Sequence, residues 1–258
     1  FMSTTAIKKN DSYLINGRKW YTSSAEGSSF AIVMAISNPN EKNKYLTASQ
    51  IIVPTDLIGF NLIRKIPVMG EEGEGYFSHS EIEYNNVTVP KENLLGKEGF
   101  GFKIAQSRLG PGRIHHCMRW IGICERSFDM MCERAASREL SPGNFLGQKQ
   151  LIHKMIAERR VEINAAKLLV MDVGRKIKKQ GSKESRFDIS MIKFYCANIL
   201  KRVIDDAIQI HGGLGMSDDI ILSHFYRHER AARIYDGADE VHITNVAKGV
   251  LSKYGLKI

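Results

Sequence analysis

The chain lacks most of the features that mark membrane, secreted or metal-binding proteins. No apolar run approaches the ~18 residues that a membrane-spanning helix needs. The four cysteines, Cys117, Cys124, Cys132 and Cys196, show no CxxC spacing. Three of them fall on one helical segment whose rigid separations prevent ready pairing, so buried free thiols in a reducing compartment are expected. Phe1-Met2-Ser3-Thr4-Thr5 has no charged region ahead of an apolar core, which excludes a secretory signal there. No internal repeat or low-complexity tract is present. Lysine and arginine exceed aspartate and glutamate by 37 to 28, giving a formal charge of +9. Yet the basic residues are dispersed, with Lys176-Ile-Lys-Lys179 the densest group, and no aromatic–basic interleaving resembles a nucleic-acid module. The excess reads as a solvated basic face, or as a field that attracts a polyanionic small molecule.

What is present is enough apolar residue for a sizeable core. With 258 residues, 43% hydrophobic and 25% charged, one large or two smaller domains can form. The pattern changes near residue 96. Before it, short alternating runs lie between turn residues: 12–15, then Asn16-Gly17, then 18–22, which predicts a hairpin. Runs at 30–36, 49–53, 60–63 and 80–84 predict further strands, with Pro54, Pro67 and Pro90 at their ends.

After residue 98 the spacing becomes helical. Ile114, Cys117, Ile121, Cys124, Phe128, Met131 and Ala135 step by three and four and define one buried stripe. A second helix is predicted over about 144–179, with Leu151, Met155, Ile156, Ile163 and Leu168 on its core face. A third carries Ile189, Ile192, Cys196, Ile199, Val203, Ala207 and Ile210 and stops at Gly212-Gly213. Shorter helices follow at about 219–231 and 238–253. Long amphipathic helices with short connections imply a bundle.

Two segments in this half carry chemistry. Gln209-Ile-His-Gly-Gly-Leu-Gly-Met-Ser217 is a glycine cluster closing the third helix, and glycines let backbone approach a phosphate or ring. Arg233-Ile-Tyr-Asp-Gly-Ala-Asp-Glu-Val-His242 places a carboxylate on the turn Tyr235-Asp236-Gly237, directly before a helix. Asp236 there is placed to take a proton, or simply to cap that helix. His115 and His116 are adjacent on a helix and point in different directions, and no third ligand is suitably spaced, so no metal site is expected.

These segments, with Ile15-Asn-Gly-Arg-Lys-Trp-Tyr-Thr22, Val89-Pro-Lys-Glu-Asn-Leu-Leu-Gly96 and Gly99-Phe-Gly-Phe102, resemble the acyl-CoA dehydrogenase family from Ser12 to about Lys253. Leu109-Gly-Pro-Gly-Arg-Ile-His-His-Cys-Met118 and 236–242 look most like its kinase-fused members 10 and 11. The resemblance implies an α+β chain: an N-terminally incomplete β-barrel-like middle domain over 1–96, then a C-terminal four-helix-bundle domain over 97–258. It implies FAD, an acyl-CoA substrate, removal of the α-proton by Asp236 and passage of the β-hydride to flavin. Most members have Glu at that position, one methylene longer.

Arg113, Tyr235 and Gly237 match residues beside the acyl-CoA, although an interhelical ion pair would also explain Arg113. A base on the first long helix, used in some branches, is absent because Gly112 stands there. Tyr21 and Ser23 match an aromatic and a hydroxyl set against the flavin ring, with core packing the alternative for Tyr21. By alternation, Trp20 and Tyr21 should face opposite sides of their strand. Arg138, Gln150 and Gln209 match residues that complete a neighbouring subunit's FAD site, though Ser141 replaces the usual aromatic in a Ser-Pro-Gly insertion. Gly212 and Gly213 match the diphosphate cradle, or form a helix cap. Ala238 and Glu240 stand where the family contacts the adenine half. The family further implies electron-transferring flavoprotein as acceptor, a homodimer or homotetramer, and a mitochondrial or peroxisomal matrix location. An acyl-CoA oxidase and a catalytically silent scaffold are the alternatives. Because the resemblance begins inside the middle domain, this chain alone is expected to hold FAD weakly or not at all.

Overall fold

Alternating apolar residues make the first third of the chain a sheet with one wet face and one dry face. The computed structural model describes residues 2–256. β1 (Thr5–Lys9), β2 (Ser12–Ser23), β3 (Phe30–Ile36), β4 (Ala48–Pro54), β5 (Phe60–Lys65) and β6 (His79–Pro90) form one six-stranded sheet in the order β4-β3-β1-β2-β6-β5. Every pairing is antiparallel except β1 with β3. Ala6, Tyr13, Ile15, Val33, Ile51, Val53, Ile82 and Val89 are buried in one cluster, with Phe60 of β5 packed against it. All six strands thus serve a single interior, as a barrel-like sheet does.

The Asn16-Gly17 pair does not turn the chain. β2 runs through it, and the register against β6 slips between Ile15 and Gly17. Gly17 has φ +135°, and a Cβ there would lie 2.7 Å from Thr4 Cα. The Asn16 side chain accepts the Asn86 N–H at 2.8 Å. A bulge and a tight turn both call for positive φ, so the same dipeptide serves either. The turn comes earlier, at Asn10 (φ +51°). A second slip in β2, between Lys19 and Thr22, puts Tyr21 in the left-handed region at φ +57°. This breaks the alternation. Trp20 and Tyr21 are both exposed, with their rings edge-on at 4.8 Å, and do not face opposite sides.

The helical part comprises α1 (Gly101–Ser137), the hairpin β7 (Glu139–Ser141) and β8 (Asn144–Phe145), and α2 (Gln150–Gln180). α3 (Arg186–His211), the single turn α4 (Gly213–Met216), α5 (Ile221–Glu229) and α6 (Asp239–Leu251) follow. The chain divides into two compact units, 1–108 and 109–258. All seven predicted apolar positions of α3 are buried, and α2, α5 and α6 pack on it. In α1, Cys117, Cys124, Phe128, Met131 and Ala135 are buried, while Ile114 and Ile121 pack at the margin.

α2 starts six residues later than its spacing suggested, because the insertion around Ser141 folds back as β7–β8 and Leu146–Gln148 form a 3-10 turn. Its dry face also differs. Ile152, Ile163, Ala166, Val170 and Val173 are buried, whereas Leu151 and Leu168 are 73% and 68% exposed. Two apolar stripes overlap on this helix, and α3 covers only one. Cys117, Cys124 and Cys196 are buried free thiols. Among the described residues no helix is long and apolar enough to cross a membrane.

Candidate active site

The helical unit fixes one carboxylate-bearing turn with unusual thoroughness. Asp236 sits between the short helical turn Arg230–Arg233 and α6, in the left-handed region at φ +53°. Such a backbone costs a non-glycine residue about 1–3 kcal/mol and persists only where its surroundings over-determine it. Here they do. Arg113 Nε of α1 donates to the Asp236 carbonyl at 2.8 Å, and His242 Nε2 of α6 lies 3.3 Å from the same oxygen. Lys193 Nζ of α3 donates to the Gly237 carbonyl at 2.6 Å. Gly237 has φ +101°, and a Cβ on it would meet His242 Nε2 at 2.8 Å, so glycine is required there twice over.

Tyr235 is anchored from below. Its hydroxyl accepts from Arg119 Nη2 at 2.9 Å and from Trp120 Nε1 at 3.2 Å. Arg119 also clasps Glu229 with both terminal nitrogens, and Trp120 Nε1 reaches Glu229 Oε2 at 3.0 Å. The Asp236 carboxylate itself faces α1, with Oδ2 3.2 Å from His116 Nε2 and a side chain only 15% exposed. The His116 ring stacks on Trp120 at 5.8 Å and leans on Tyr235 at 5.0 Å. Arg113, His116 and Trp120 are three and four residues apart, which puts them on one face of α1, toward the turn.

Burial shapes the electrostatics. It pushes the Tyr235 hydroxyl up to about 12, with Glu229 adding to the effect, so this group stays neutral. Burial would also raise the Glu229 carboxyl, but hydrogen bonds and charge from His228 and Arg119 outweigh it and hold Glu229 below its ordinary range. The Lys193 ammonium is fully buried and burial lowers it, opposed by Asp239 at 3.9 Å. Asp239 in turn accepts from Arg233 Nε at 2.7 Å and Asn198 Nδ2 at 2.8 Å. Arg113 is lowered by burial and partly restored by Asp236. The result is a recessed carboxylate ringed by cations that bind its backbone, with one imidazole on its oxygen. Such a group can accept a proton from a weakly acidic carbon brought against it.

Asp236, Tyr235, Gly237 and Arg113 therefore come together. Ala238 is the N-cap of α6 and Glu240 lies exposed in its first turn. The other positions of the helical unit lie elsewhere. Gln209, Gly212 and Gly213 are exposed at the far end of α3, about 24 Å along the helix from Lys193. Arg138 is exposed just beyond the C-terminal end of α1, about 37 Å along that helix from Arg113, and Gln150 is exposed as the first residue of α2. Tyr21 and Ser23 are exposed on β2, with Ser23 Oγ 2.9 Å from His79 Nδ1 and the Tyr21 ring 5.7 Å from His79. His116, Lys193, Arg119, Trp120, Glu229, Asp239 and His242 were not anticipated. Lys193 did leave a signal, because it stands on the apolar stripe between Ile189 and Cys196, where a cation needs a buried partner.

Each unit, taken by itself, leaves open aromatic or backbone surface of the kind a flavin nucleotide contacts. Tyr21 holds a strained backbone while presenting an aromatic face to the outside. Gly212 takes φ +64° as the cap of α3, and Gly215 is needed because a Cβ would meet the Ile208 carbonyl at 2.6 Å. Gly213 has neither constraint, so its bare backbone is open to something beyond this chain.

Fold and turn together define an α+β protein with a recessed carboxylate on a tightly held turn. Profiles of the acyl-CoA dehydrogenase middle domain and C-terminal domain match residues 1–87 and 99–251. The probable acyl-CoA dehydrogenase FadE2 of Mycobacterium tuberculosis is 42% identical over 254 residues, 98% of this chain and 61% of that protein. Acyl-CoA dehydrogenase family member 11 of Gallus gallus is 39% identical over 259 residues, 100% of this chain and 33% of that protein. A solved structure assigned to the acyl-CoA dehydrogenases of Mycobacterium abscessus superimposes with a TM-score of 0.93 at 37% identity, covering 98% of this chain and 62% of that one. The chain belongs to the acyl-CoA dehydrogenase family of flavoprotein oxidoreductases. It spans one third to three fifths of the length of these relatives.

Proposed function

We propose that the protein containing this chain is an FAD-dependent acyl-CoA dehydrogenase that introduces an α,β double bond into a fatty acyl thioester, with Asp236 as the base. The observation that carries this is the grip on 235–237: a left-handed aspartate whose backbone is held by Arg113 and Lys193 while its carboxylate is recessed. A cap residue would need none of these partners. FAD, when bound, supplies the two-electron acceptor for the β-hydride. Tyr21 and Ser23 would lie against its ring, and Gly212, Gly213, Ala238 and Glu240 against its diphosphate and adenosine. Arg138, Gln150 and Gln209 would serve a neighbouring subunit's nucleotide.

This chain's own residues act on the proton. Arg113 and Lys193 fix the turn's carbonyls, which holds the backbone from which the Asp236 side chain springs. The α-proton then passes to the carboxylate as the hydride leaves the β-carbon. Electrons would go on to electron-transferring flavoprotein, as part of fatty-acid β-oxidation. In the full-length protein, Asp236→Asn is expected to cut turnover by at least about 10³-fold with FAD content unchanged. Substantial turnover by that variant would assign the base elsewhere. Asp236→Glu keeps the charge and adds one methylene, so partial activity there would show that reach has been tuned to aspartate.

A further inference from the structure

We propose that His242 is a positioning residue for Asp236, donating from Nε2–H to the Asp236 carbonyl while the Ser190 hydroxyl holds the imidazole in that tautomer. The proposal rests on the reading of Asp236 as base. His242 lies in the first turn of α6, and its side chain reaches back to the turn that precedes the helix. The residue is 2% exposed, and both ring nitrogens have hydrogen-bond partners. Nε2 is 3.3 Å from the Asp236 carbonyl oxygen, and Nδ1 is 3.2 Å from Ser190 Oγ of α3.

Those two partners select the proton's place. A carbonyl oxygen only accepts, so the nitrogen bonded to it carries the hydrogen. Nδ1 is then the acceptor, and the Ser190 hydroxyl turns to donate to it. Ser190 is itself buried, three residues before Lys193 on α3, a spacing that puts both on one face. α3 therefore grips successive carbonyls of the turn: Gly237 directly through Lys193, and Asp236 through the imidazole. A carbonyl has two lone pairs, and Arg113 Nε of α1 donates to the same Asp236 oxygen at 2.8 Å. Ring and turn also interlock sterically, since a Cβ on residue 237 would meet His242 Nε2 at 2.8 Å. The surroundings keep the ring neutral. Burial disfavours a second proton most, Arg113 and Lys193 add to it, and the Asp236 carbonyl and Asp239 oppose them only in part. Removing the imidazole donor would loosen one side of a left-handed residue, and the carboxylate would shift with its backbone.

The test uses nitrogen-15 histidine spectra together with substitutions in the full-length protein. The His242 signal, assigned by its loss in His242→Gln, is expected in the Nε2–H tautomer at neutral pH. Ser190→Ala should move its Nδ1 resonance toward that of an unbonded nitrogen. His242→Asn keeps an amide near Ser190 but ends short of the carbonyl. It should lower kcat about tenfold, the upper range of one neutral hydrogen bond, with KM within about twofold. His242→Gln places an amide N–H near the position of Nε2 and should recover most of that loss. An Nδ1–H tautomer in the wild type, or an Nδ1 resonance unmoved by Ser190→Ala, would overturn the proposal even if His242→Asn failed to fold. So would a His242→Asn kcat equal to wild type, or a His242→Gln variant as slow as His242→Asn at the same melting temperature. A wild type with no dehydrogenation at all would remove the reading of Asp236 as base, whereas the spectra would still decide the Ser190–His242–Asp236 contacts.

Discussion

Lys193 shows how single residues organise the turn. It lies on a largely apolar helix face, fully buried, yet its ammonium lands on the Gly237 carbonyl. Arg113 does the same for Asp236 from 123 residues away. Pairings at that sequence separation leave no periodic trace, so the partner of a lone buried cation stays hidden until the helices are packed. The turn itself was legible, because Tyr-Asp-Gly before a helix is a local pattern. His116 was legible only as half of a doubtful metal pair. Its pairing with Asp236 depends on the curl of 235–237 toward α1. His242 yields a prediction at this scale. Burial lowers it from 6.5, so between that value and its lower folded-state value the unfolded chain holds more protons. Stability contributed by neutral His242 is complete above pH 6.5 and is lost as pH falls below it. Urea unfolding of wild type between pH 7.5 and 5.5 should therefore show a steeper loss than His242→Phe. Equal slopes would mean that His242 does not titrate differently on folding.

At the scale of elements, the sequence pattern was most faithful where one face is wholly dry. β3 matches its alternating run residue for residue, and α3 buries every predicted position. It misled where backbone irregularity intervened. β2 reads locally as a hairpin and is one twelve-residue strand with two bulges. α2 carries two candidate faces, and only contact with α3 selects between them. The first bulge invites a direct check. Gly17→Ala would force a side chain into φ +135° and against Thr4 Cα, costing about 2–4 kcal/mol, or roughly 5–15 °C in melting temperature. Gly27→Ala, with no positive φ and open space around it, should melt within about 2 °C of wild type. If the two variants melted together, Gly17 would not be the strained centre of the bulge.

For the whole molecule, several apolar side chains remain outside either core. On α2, Leu151, Val161, Leu168 and Met171 are each about half or more exposed. Exposed apolar surface on helices of this length is characteristic of an interface. Arg138 points the same way, lying too far along α1 to serve the Asp236 turn of its own chain. Self-association through the helical unit is therefore expected, and light scattering at micromolar concentration should give at least a dimer. A clean monomer would remove the proposed role of Arg138, Gln150 and Gln209 across a subunit boundary.

If Asp236 takes the α-proton, reduction of bound flavin reports that step without a downstream acceptor. Full-length wild-type and Asp236→Asn proteins, loaded with equal FAD, would be mixed anaerobically with a saturated acyl-CoA while the yellow absorbance is followed. The wild type should bleach rapidly, and the variant should bind the thioester yet stay yellow over the same interval. Bleaching of Asp236→Asn at the wild-type rate would contradict the assignment.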